Sequence, residues 1–480
     1  MRRAILVLSW PILVESFLNS LVGLTDTVLA AGLEEGRAAT DAIGAASNVL
    51  WLVGLVVMAL CVGATALASR AVGAGRLAMA RAVVGQTTLL SVVTGLVVGA
   101  GLWWSAPMLA SMYALDESSQ ALFVTYIRLT APGVPFIAVL AGGIACLRAA
   151  GDSLRPLWAV AAVNAVNITA SWMMAGVDLT RTVSEGDGFL TQVIAKNPSP
   201  LDMGVSGIAL GTILGQAVGA LIIVRMLTKG VAGIDLRWSR LRPHRVTLSR
   251  ILRIGSVNFI ETMGMWIVNT LIVLMVVDLA PASDGLLGAH IVAIRIEAFS
   301  FLPGFAMGVA GSTLMGQYLG AGSVAHARRA VWACVGVASA TMGCTGVLFM
   351  AFPVAITGLF TPQAEHLEVV PELLFITGTV QLPFAVSIVL RTALRGAGDV
   401  RGVIVLTWAT LIGVRLPIAY ALSGVDFVLP RWLGGGVLDH PFMAEPSLAW
   451  LWIGLCVEVV IRGVAFLAWF LSGRWVRARL

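Results

Sequence analysis

LRAAGD occupies residues 147–152, and the nearly identical LRGAGD occupies residues 394–399. A second pair of similar segments is GATALASRAVGAG at 63–75 and AGSTLMGQYLGAG at 310–322. Both matches are displaced by 247 residues. Two distant matches at one offset indicate an internal duplication, so the sequence predicts two similar halves.

The composition is that of a protein embedded in a membrane. Of the 480 residues, 58% are apolar and 12% are charged, and the mean hydropathy is +0.93. A soluble domain carries about 25% charged residues. A helix needs about 20 apolar residues to cross the hydrocarbon layer, and twelve stretches are long enough. They span residues 4–33, 40–70, 81–106, 119–146, 155–177, 204–227, 249–278, 283–316, 327–352, 366–392, 401–422 and 447–472.

The repeat and the helices together predict the domain organisation. Each repeated motif follows the second or the fourth helix of its half, so equivalent loops lie on one face of the membrane. We therefore expect an all-α polytopic membrane protein in which two parallel six-helix repeats are related by an axis along the membrane normal. The predicted domains are an N-terminal six-helix lobe at 1–227, a cytoplasmic basic linker at 228–248 and a C-terminal six-helix lobe at 249–480.

The placement of Lys and Arg predicts the orientation, because short cytoplasmic loops collect these residues. With both termini in the cytoplasm, most of the 31 Lys and Arg lie on that side. The exceptions in the opposite loops are Arg37, Arg181, Lys196 and Arg431. The sequence thus predicts a multi-pass protein of the cell inner membrane. The longer loops at 178–203 and 423–446 are predicted to be turn-rich extracytoplasmic caps.

Several kinds of chemistry have no support in the sequence. The basic linker contains one aromatic residue, Trp238, and joins two membrane helices, so nucleic-acid binding is not expected. The five cysteines lie inside predicted helices without paired or metal-ligand spacing, which indicates packing residues. No Walker motif and no helix-borne His pair occurs, so ATP-driven chemistry and zinc sites are not indicated.

Over nearly its whole length, the chain resembles the multidrug and toxic compound extrusion (MATE) family of antiporters. The matching features are Pro11, Asn19 and Asp26 of the first helix, the two repeated LR motifs, and the run GAHIVAIRIEAFSFLPGFAMGVAGSTLMGQYLGAG at 288–322. The resemblance implies two lobes around a central cleft that opens alternately to either side. It also implies a secondary active antiporter, not an enzyme, that exports small amphipathic, cationic drugs or metabolites in exchange for H⁺ or Na⁺.

The expected partners follow from that resemblance. They are a small-molecule substrate and membrane lipid, with no nucleic acid and no cofactor other than the coupling H⁺ or Na⁺. A monomer is expected.

Ionisable residues at membrane depth are costly, so each one is a functional candidate unless a paired charge explains it. The acids are Glu15, Asp26, Glu261, Glu297 and Glu458, and the bases are Arg128, Arg295, Arg415 and Arg462. Glu458 and Arg462 are spaced i, i+4 on the twelfth helix and are expected to pair, with Arg415 at a similar depth. These three are interpreted as structural.

Asp26 is the candidate coupling residue. Glu15 and Asp26 are eleven residues apart and share one helix face with Asn19. An oxygen-rich cluster is expected around Asp26 from Asn164, Asn167 and Ser171 on the fifth helix and Thr212 on the sixth. Such oxygen atoms suit a proton or Na⁺, and the Na⁺ ligands would be Asp26, Asn167 and Thr212. The alternative is that Asn164 and Asn167 only join helices by hydrogen bonds.

The resemblance adds detail at this site. Archaeal-type members place the coupling aspartate fifteen residues after a helix-bending proline, as Asp26 follows Pro11. Ser171 stands where that subgroup has a second aspartate, so a complete sodium site is not predicted.

The second half offers a substrate-binding or second coupling site. Glu261 is the repeat mate of Glu15 to within one residue. Plant and animal members of the family use glutamates near this position for coupling or for cationic substrates. The predicted residues of this second site are Glu15, Asn19, Asn258, Glu261, Asn269 and Glu297. For Glu297, neutralisation by Arg295 or by another buried arginine is the alternative.

Other functions remain as alternatives. The main one is a lipid-linked precursor flippase of the related superfamily, which shares paired six-helix lobes and an arginine-rich cleft. The count of twelve helices argues against it, because such flippases add two helices. A channel or a membrane enzyme would need a filter or a catalytic constellation, and the sequence contains neither. The substrate and the choice between H⁺ and Na⁺ stay open.

Overall fold

Almost every regular element of the chain is a helix. The computed structural model describes residues 2–113, 115–185, 188–199, 201–231, 233–279, 285–361, 363–428, 434–440 and 446–477. The helices are α1 (Arg2–Ala31), α2 (Gly36–Gly73), α3 (Leu77–Met112), α4 (Glu117–Thr130), α5 (Val134–Ala149), α6 (Leu154–Ala175), α7 (Gly204–Lys229), α8 (Arg245–Leu279), α9 (Leu286–Gly320), α10 (Val324–Ala351), α11 (Pro353–Phe360), α12 (Ala364–Thr379), α13 (Gln381–Gly396), α14 (Val400–Thr410), α15 (Leu416–Ser423) and α16 (Leu448–Ser472).

The membrane spans agree with the hydropathy pattern. Within the described residues, 11 helical spans are long and apolar enough to cross a membrane. The pair α12 and α13, bent by 61° at Val380, makes a twelfth. The predicted all-α polytopic fold with twelve spans in two repeats is therefore confirmed.

The duplication is visible in where the helices begin. Starting residues in the two halves are separated by 247 positions for three helix pairs: Leu77 of α3 and Val324 of α10, Glu117 of α4 and Ala364 of α12, and Val134 of α5 and Gln381 of α13. Gly75 and Gly322, with φ of 67° and 77°, precede α3 and α10 and occupy equivalent positions. Only glycine adopts this left-handed conformation without strain, so the repeated GAG motif is a repeated turn.

The chain packs as two compact units. The N-terminal unit comprises Trp10–Gly255, and the C-terminal unit comprises Ser256–Leu480 together with Met1–Ser9. Ile5 and Leu8 of α1 accordingly belong to the apolar core that contains Phe466 and Phe470. The residues of the predicted linker pack within the N-terminal unit. The lobe and linker bounds drawn from the sequence stay predictions.

Glycines on α7 bring this helix close to α6. Gly207, Gly211 and Gly215 recur every four residues and face the backbone of α6. A Cβ at Gly211 would overlap Ser171, and one at Gly215 would lie 3.1 Å from Asn167 Cβ. Small residues at i, i+4 spacing let membrane helices approach closely. This contact places the polar residues of α6 beside those of α7.

Two spans of the C-terminal unit are interrupted. The tenth span breaks between α12 and α13, where the corresponding N-terminal span has the 3₁₀ turn Ala131–Gly133. The eleventh span contains a π-helical turn, Leu411–Arg415, between α14 and α15. Pro417 follows within the first turn of α15, where it has no backbone N–H to donate. π turns of this kind are frequent at functional sites.

The two long loops contain strands that the sequence analysis does not predict. In the first loop, β1 (Leu179–Glu185) pairs antiparallel with β2 (Gly188–Ala195). In the second, β3 (Phe427–Val428) pairs with β4 (Val437–Leu438). Their backbone groups therefore bond to one another, whereas the sequence predicts only turns. Arg431 lies outside the described residues.

The linker is held to α3 by one buried amide. Gln86 is 1% exposed, and its Nε2 donates to the carbonyl oxygens of Arg240 and Arg242 at 2.7 and 2.8 Å. Its Oε1 accepts a hydrogen bond from the backbone N–H of His244 at 2.9 Å. A Cβ at the neighbouring Gly85 would lie 2.5 Å from the Arg240 carbonyl oxygen. The linker thus runs against α3 where only glycine leaves room for it.

An ionic contact joins the same two segments. Asp235 forms ion pairs with Arg237 of the linker and Arg81 of α3. The hydrogen bond from Arg237, with the charges of Arg237 and Arg81, holds the pKa of Asp235 below its ordinary value of 3.8. Asp235 is therefore ionised throughout the physiological pH range. Its contribution to stability is present above pH 3.8 and is lost only as the pH falls through the lowered folded-state pKa.

We expect Gln86→Leu to release the linker, because two carbonyls and one N–H lose their partner at once. The cost is about 1–3 kcal/mol of stability. Trypsin should then cleave purified protein faster after Arg240, whereas the bond after Arg242 resists trypsin because Pro243 follows it. Thr88→Val is the matched control, since the Thr88 hydroxyl bonds only to Val84 of its own helix. Equal cleavage rates for Gln86→Leu and the wild type would contradict the assignment.

Candidate functional site

Asp26 of α1 lies in a buried cluster of hydroxyl groups within the N-terminal unit. It is 5% exposed. The Tyr126 hydroxyl of α4 donates to Asp26 Oδ2 at 3.0 Å, and the Thr212 hydroxyl of α7 lies 3.2 Å from the same oxygen. Three helices therefore contribute to one polar site.

Asn167 of α6 extends this cluster. Its Nδ2 donates to Thr212 Oγ1 at 2.9 Å and lies 3.4 Å from Ser171 Oγ. Its Oδ1 is buried and has no hydrogen-bond partner among the described residues. Asn164 behaves differently, because its Nδ2 donates to the Val160 carbonyl oxygen of its own helix. The geometry thus gathers Asn167, Thr212 and Ser171, while Asn164 bonds within α6.

The cluster suits a cation or a proton. A buried carboxylate needs a counter-charge or a proton, since an isolated charge is unstable at low dielectric. Within the described part of the chain, no Lys or Arg forms an ion pair with Asp26. Carboxylate, hydroxyl and amide oxygens are also the ligands that hard cations select. Asn167 Oδ1 is a free acceptor of this kind.

The cluster belongs to the first half alone. Its members Asp26, Tyr126, Asn167 and Thr212 have apolar counterparts at the 247-residue offset. These counterparts are Val273, Leu373, Val414 and Val459.

A second feature is shared by both halves. Glu15 of α1 forms an ion pair with Arg148 at the end of α5. Glu261 of α8 forms one with Arg395 at the end of α13, with Arg395 Nη2 2.8 Å from Glu261 Oε1. The two arginines are the second residues of LRAAGD and LRGAGD. The repeated motif therefore supplies the counter-charge of a buried glutamate in each unit.

These pairs bear on the predicted second site. Glu15 and Glu261 are 4% and 1% exposed, and Glu261 also accepts a hydrogen bond from Thr407 at 2.9 Å. Asp26 and Glu15, which the sequence places on one helix face, have different partners. Their roles in substrate binding or coupling stay predictions.

The other predicted residues differ in their surroundings. Asn19 and Asn269 are exposed, whereas Asn258 is buried and its side chain has no hydrogen-bond partner among the described residues. Glu297 accepts a hydrogen bond from Thr377 at 2.9 Å. Arg295 is exposed and forms no ion pair with Glu297. Pro11 is buried inside α1, fifteen residues before Asp26.

The predicted charge pair on the last helix is confirmed. Glu458 Oε1 lies 3.3 Å from Arg462 Nε, and its Oε2 lies 3.9 Å from Arg415 Nη1. Glu458 is fully buried. Arg128, the remaining predicted base, is exposed on α4.

Sequence reasoning missed the partners of the carboxylates. Tyr126 carried no signal, since one tyrosine in an apolar helix is most often a packing residue. Arg148 and Arg395 were detectable, because they recur in the repeated motif. Their place near a helix end is also typical of cations in cytoplasmic loops, so the sequence alone does not identify them as partners of buried glutamates. Among the described residues, no group of three His, Cys, Asp or Glu side chains could hold a metal ion.

A cavity of about 470 Å³ lies within the C-terminal unit. Helices α8, α9, α12, α13 and α16 and the π turn surround it. Its polar lining includes Asn269, His290, Glu297, Thr377, Ser387, Arg391, Arg415 and Arg462. The apolar lining includes Ile272, Phe301, Phe305, Phe384, Trp452 and Leu455.

Comparisons with known proteins show which proteins this chain resembles. The MatE family model matches residues 11–173 and 259–421, one stretch in each half. A Thermotoga maritima protein named "Probable multidrug resistance protein NorM" is 26% identical over 99% of this chain and 93% of its own. Multidrug resistance protein PmpM of Pseudomonas aeruginosa is 24% identical, with 91% and 88% covered.

Solved structures show the same fold. An outward-facing multidrug resistance MATE family transporter of the MOP superfamily superimposes with a TM-score of 0.83 at 19% identity. The match covers 100% of this chain and 97% of that one. These relatives do not favour the flippase interpretation.

We expect Glu261→Gln to destabilise the protein by about 3–5 kcal/mol, because it leaves the buried Arg395 charge uncompensated. Glu15→Gln should act in the same direction through Arg148. The double variant Glu261→Gln with Arg395→Met should recover most of the loss. Thermal unfolding of purified protein in detergent measures these effects.

The exposed Glu368 of α12 provides the control, since Glu368→Gln removes a charge that has no buried partner. Equal stability for Glu261→Gln and Glu368→Gln would show that the Glu261–Arg395 pair is not a structural brace.

Proposed function

The chain belongs to the MatE family, and we propose that it exports small amphipathic molecules by antiport against H⁺ or Na⁺ with Asp26 as the coupling carboxylate. Its curated relatives are named multidrug resistance proteins, which supports a multidrug efflux antiporter. No enzymatic step is needed for this activity. The transported molecules include the cationic compounds that the family resemblance implies.

The pairing of the buried carboxylates carries the proposal. Glu15, Glu261 and Glu458 each have a guanidinium partner. Asp26 has hydroxyl donors instead, from Tyr126 and Thr212. A carboxylate with a fixed cationic partner stays ionised, whereas one held by hydroxyl groups can exchange a proton or a cation. Among the buried carboxylates of the described residues, Asp26 is therefore the one whose charge can change during a transport cycle. The half-buried Glu297 also accepts a hydrogen bond from a hydroxyl group, that of Thr377, but it belongs to the second half.

The neighbouring groups respond to that change. With Asp26 ionised, the Tyr126 and Thr212 hydroxyls donate to it. A proton on Asp26 Oδ2 would turn that oxygen into a donor, so one of the two hydroxyls would have to rotate to accept from it. A Na⁺ ion would bind to Asp26, Thr212 and the unpartnered Asn167 Oδ1. Either ion alters the hydrogen bonds between α1, α4 and α7.

Pro11 connects the site to a backbone motion. Proline removes one backbone donor from α1, so the helix can bend near residue 11 at low cost. We infer that the charge of Asp26 shifts the population between two conformations of α1. The coupling ion then selects the conformation that releases the substrate.

The location of the protein follows from its spans and its charges. It is a multi-pass membrane protein. Its bacterial relatives and the distribution of Lys and Arg support the cell inner membrane, with both termini in the cytoplasm. We propose a monomer as the working unit, with contact to membrane lipid.

We expect Asp26→Asn to abolish efflux driven by an ion gradient while substrate binding persists, because asparagine matches the shape of a protonated aspartate but cannot titrate. The assay is efflux of a fluorescent cation from everted vesicles under an imposed pH gradient or an imposed Na⁺ gradient. The gradient that drives wild-type efflux identifies the coupling ion.

Asp41→Asn is the matched control, since Asp41 is an exposed carboxylate on α2. It should transport at the wild-type rate. Wild-type efflux by Asp26→Asn would place coupling at another carboxylate.

A further inference from the structure

The cavity of the C-terminal unit contains hydrogen-bond donors that the protein itself does not use. Among the described residues, the side chain of Arg391 on α13 donates one hydrogen bond, from Nη1 to Met265 Sδ at 2.9 Å. Its Nε has no hydrogen-bond partner, and no carboxylate among the described residues forms an ion pair with it. An arginine stays charged at any physiological pH. Arg391 is half-buried at the cavity wall. A guanidinium inside a membrane protein is costly without a carboxylate partner, which favours a ligand in the cavity as its counter-charge.

His290 adds a second free donor. The Trp452 Nε1–H can only donate, and it lies 3.0 Å from His290 Nδ1, which therefore accepts. The neutral His290 ring must then carry its proton on Nε2. His290 is 1% exposed, and its Nε2 has no partner among the described residues. The ring is held in place by its contact with Trp452.

The charges in and around the cavity do not cancel. Three arginines line it, Arg391, Arg415 and Arg462, and one carboxylate, Glu297. Glu458 stands behind Arg415 and Arg462 as their counter-ion. Three guanidinium groups thus face two carboxylates, which leaves one positive charge in excess.

The excess positive charge of the cavity has no counterpart in the first half of the chain. At the 247-residue offset in the first half, the counterparts of the cavity residues lack any charge. For His290, Glu297, Arg391, Arg415 and Arg462 they are Ile43, Leu50, Ile144, Ile168 and Gly215. The π turn that ends at Arg415 is also specific to the second half.

We propose that this cavity is a binding site for small amphipathic anions, in which Arg391 and His290 Nε2 hold a carboxylate group. The aromatic side chains of Phe301, Phe305 and Phe384 would cover the apolar body of the ligand. A volume of about 470 Å³ suits a molecule of drug size. The site extends the proposed function to substrates that carry a carboxylate, including cations that bear one as well.

The experiment compares three probes of one shape: 2-naphthoate, 2-naphthamide and 2-naphthylmethylammonium. Isothermal titration of the purified full-length protein in detergent should show 2-naphthoate binding about tenfold or more tightly than 2-naphthamide, as expected for a hydrogen-bonded charge pair. Arg391→Gln should abolish this preference, and Arg391→Lys should retain part of it. Thermal unfolding confirms that each variant is folded.

Arg295→Gln is the matched control, because Arg295 is an exposed arginine on α9 that does not line the cavity. It should bind 2-naphthoate as the wild type does. His290→Phe is a second test, since it keeps an aromatic ring at this position but removes the Nε2 donor and the Nδ1 acceptor. It should weaken the binding of 2-naphthoate more than that of 2-naphthamide.

Several outcomes would overturn the proposal. They are equal affinity for the anion and the amide, tighter binding of the ammonium probe, or an unchanged preference in Arg391→Gln. A phosphatidylglycerol titration in mixed micelles provides one more arm. If phosphatidylglycerol displaces 2-naphthoate completely and stoichiometrically at low concentration, the site holds a lipid headgroup and the proposal is wrong.

This test is independent of ion coupling. Asp26→Asn should bind 2-naphthoate with wild-type affinity while its gradient-driven efflux is lost. A negative result for 2-naphthoate binding would therefore not contradict the proposed role of Asp26. Likewise, wild-type efflux by Asp26→Asn would not contradict the proposed anion site.

Discussion

The cost of a bare charge in a low-dielectric interior governs the polar structure of this protein. A buried ion in such surroundings needs a partner of opposite charge, a proton or a bound ligand. Glu15, Glu261 and Glu458 meet this requirement with arginines supplied by the chain. Among the described residues, the buried Asp26 and the half-buried Arg391 form no such ion pair, one negative and one positive. The functional assignments follow from these two exceptions.

The positions of these groups depend on helix packing by small residues. Gly207, Gly211 and Gly215 allow α7 to approach α6 until Thr212 reaches both Asn167 and Asp26. Larger side chains on α7 would separate the helices and break the hydrogen bonds. Membrane helices gain little from apolar burial against one another, because lipid is equally apolar. Close contact and hydrogen bonds therefore determine the arrangement of the site.

Much of the fold could be predicted from the sequence, because hydropathy and repeat spacing are properties of continuous segments. The twelve spans and the pair Glu458–Arg462 are examples. The cluster of Asn167, Ser171 and Thr212 could be expected from helical periodicity. Tyr126 could not, because its contact with Asp26 depends on how α4 packs against α1. Arg391 was missed for a similar reason, since its lack of a carboxylate is visible only when its surroundings are known.

The unequal divergence of the two halves has a consequence for how this protein can change. Both halves keep the glutamate–arginine brace, yet the hydroxyl cluster is specific to the first half and the cationic cavity to the second. With the roles proposed for Asp26 and Arg391, ion coupling and substrate recognition would belong to separate copies of one duplicated unit. Substitutions that line the cavity can broaden or narrow the range of exported compounds without disturbing the ion site. Duplication followed by such specialisation gives an exporter a route to new substrates that keeps its driving force.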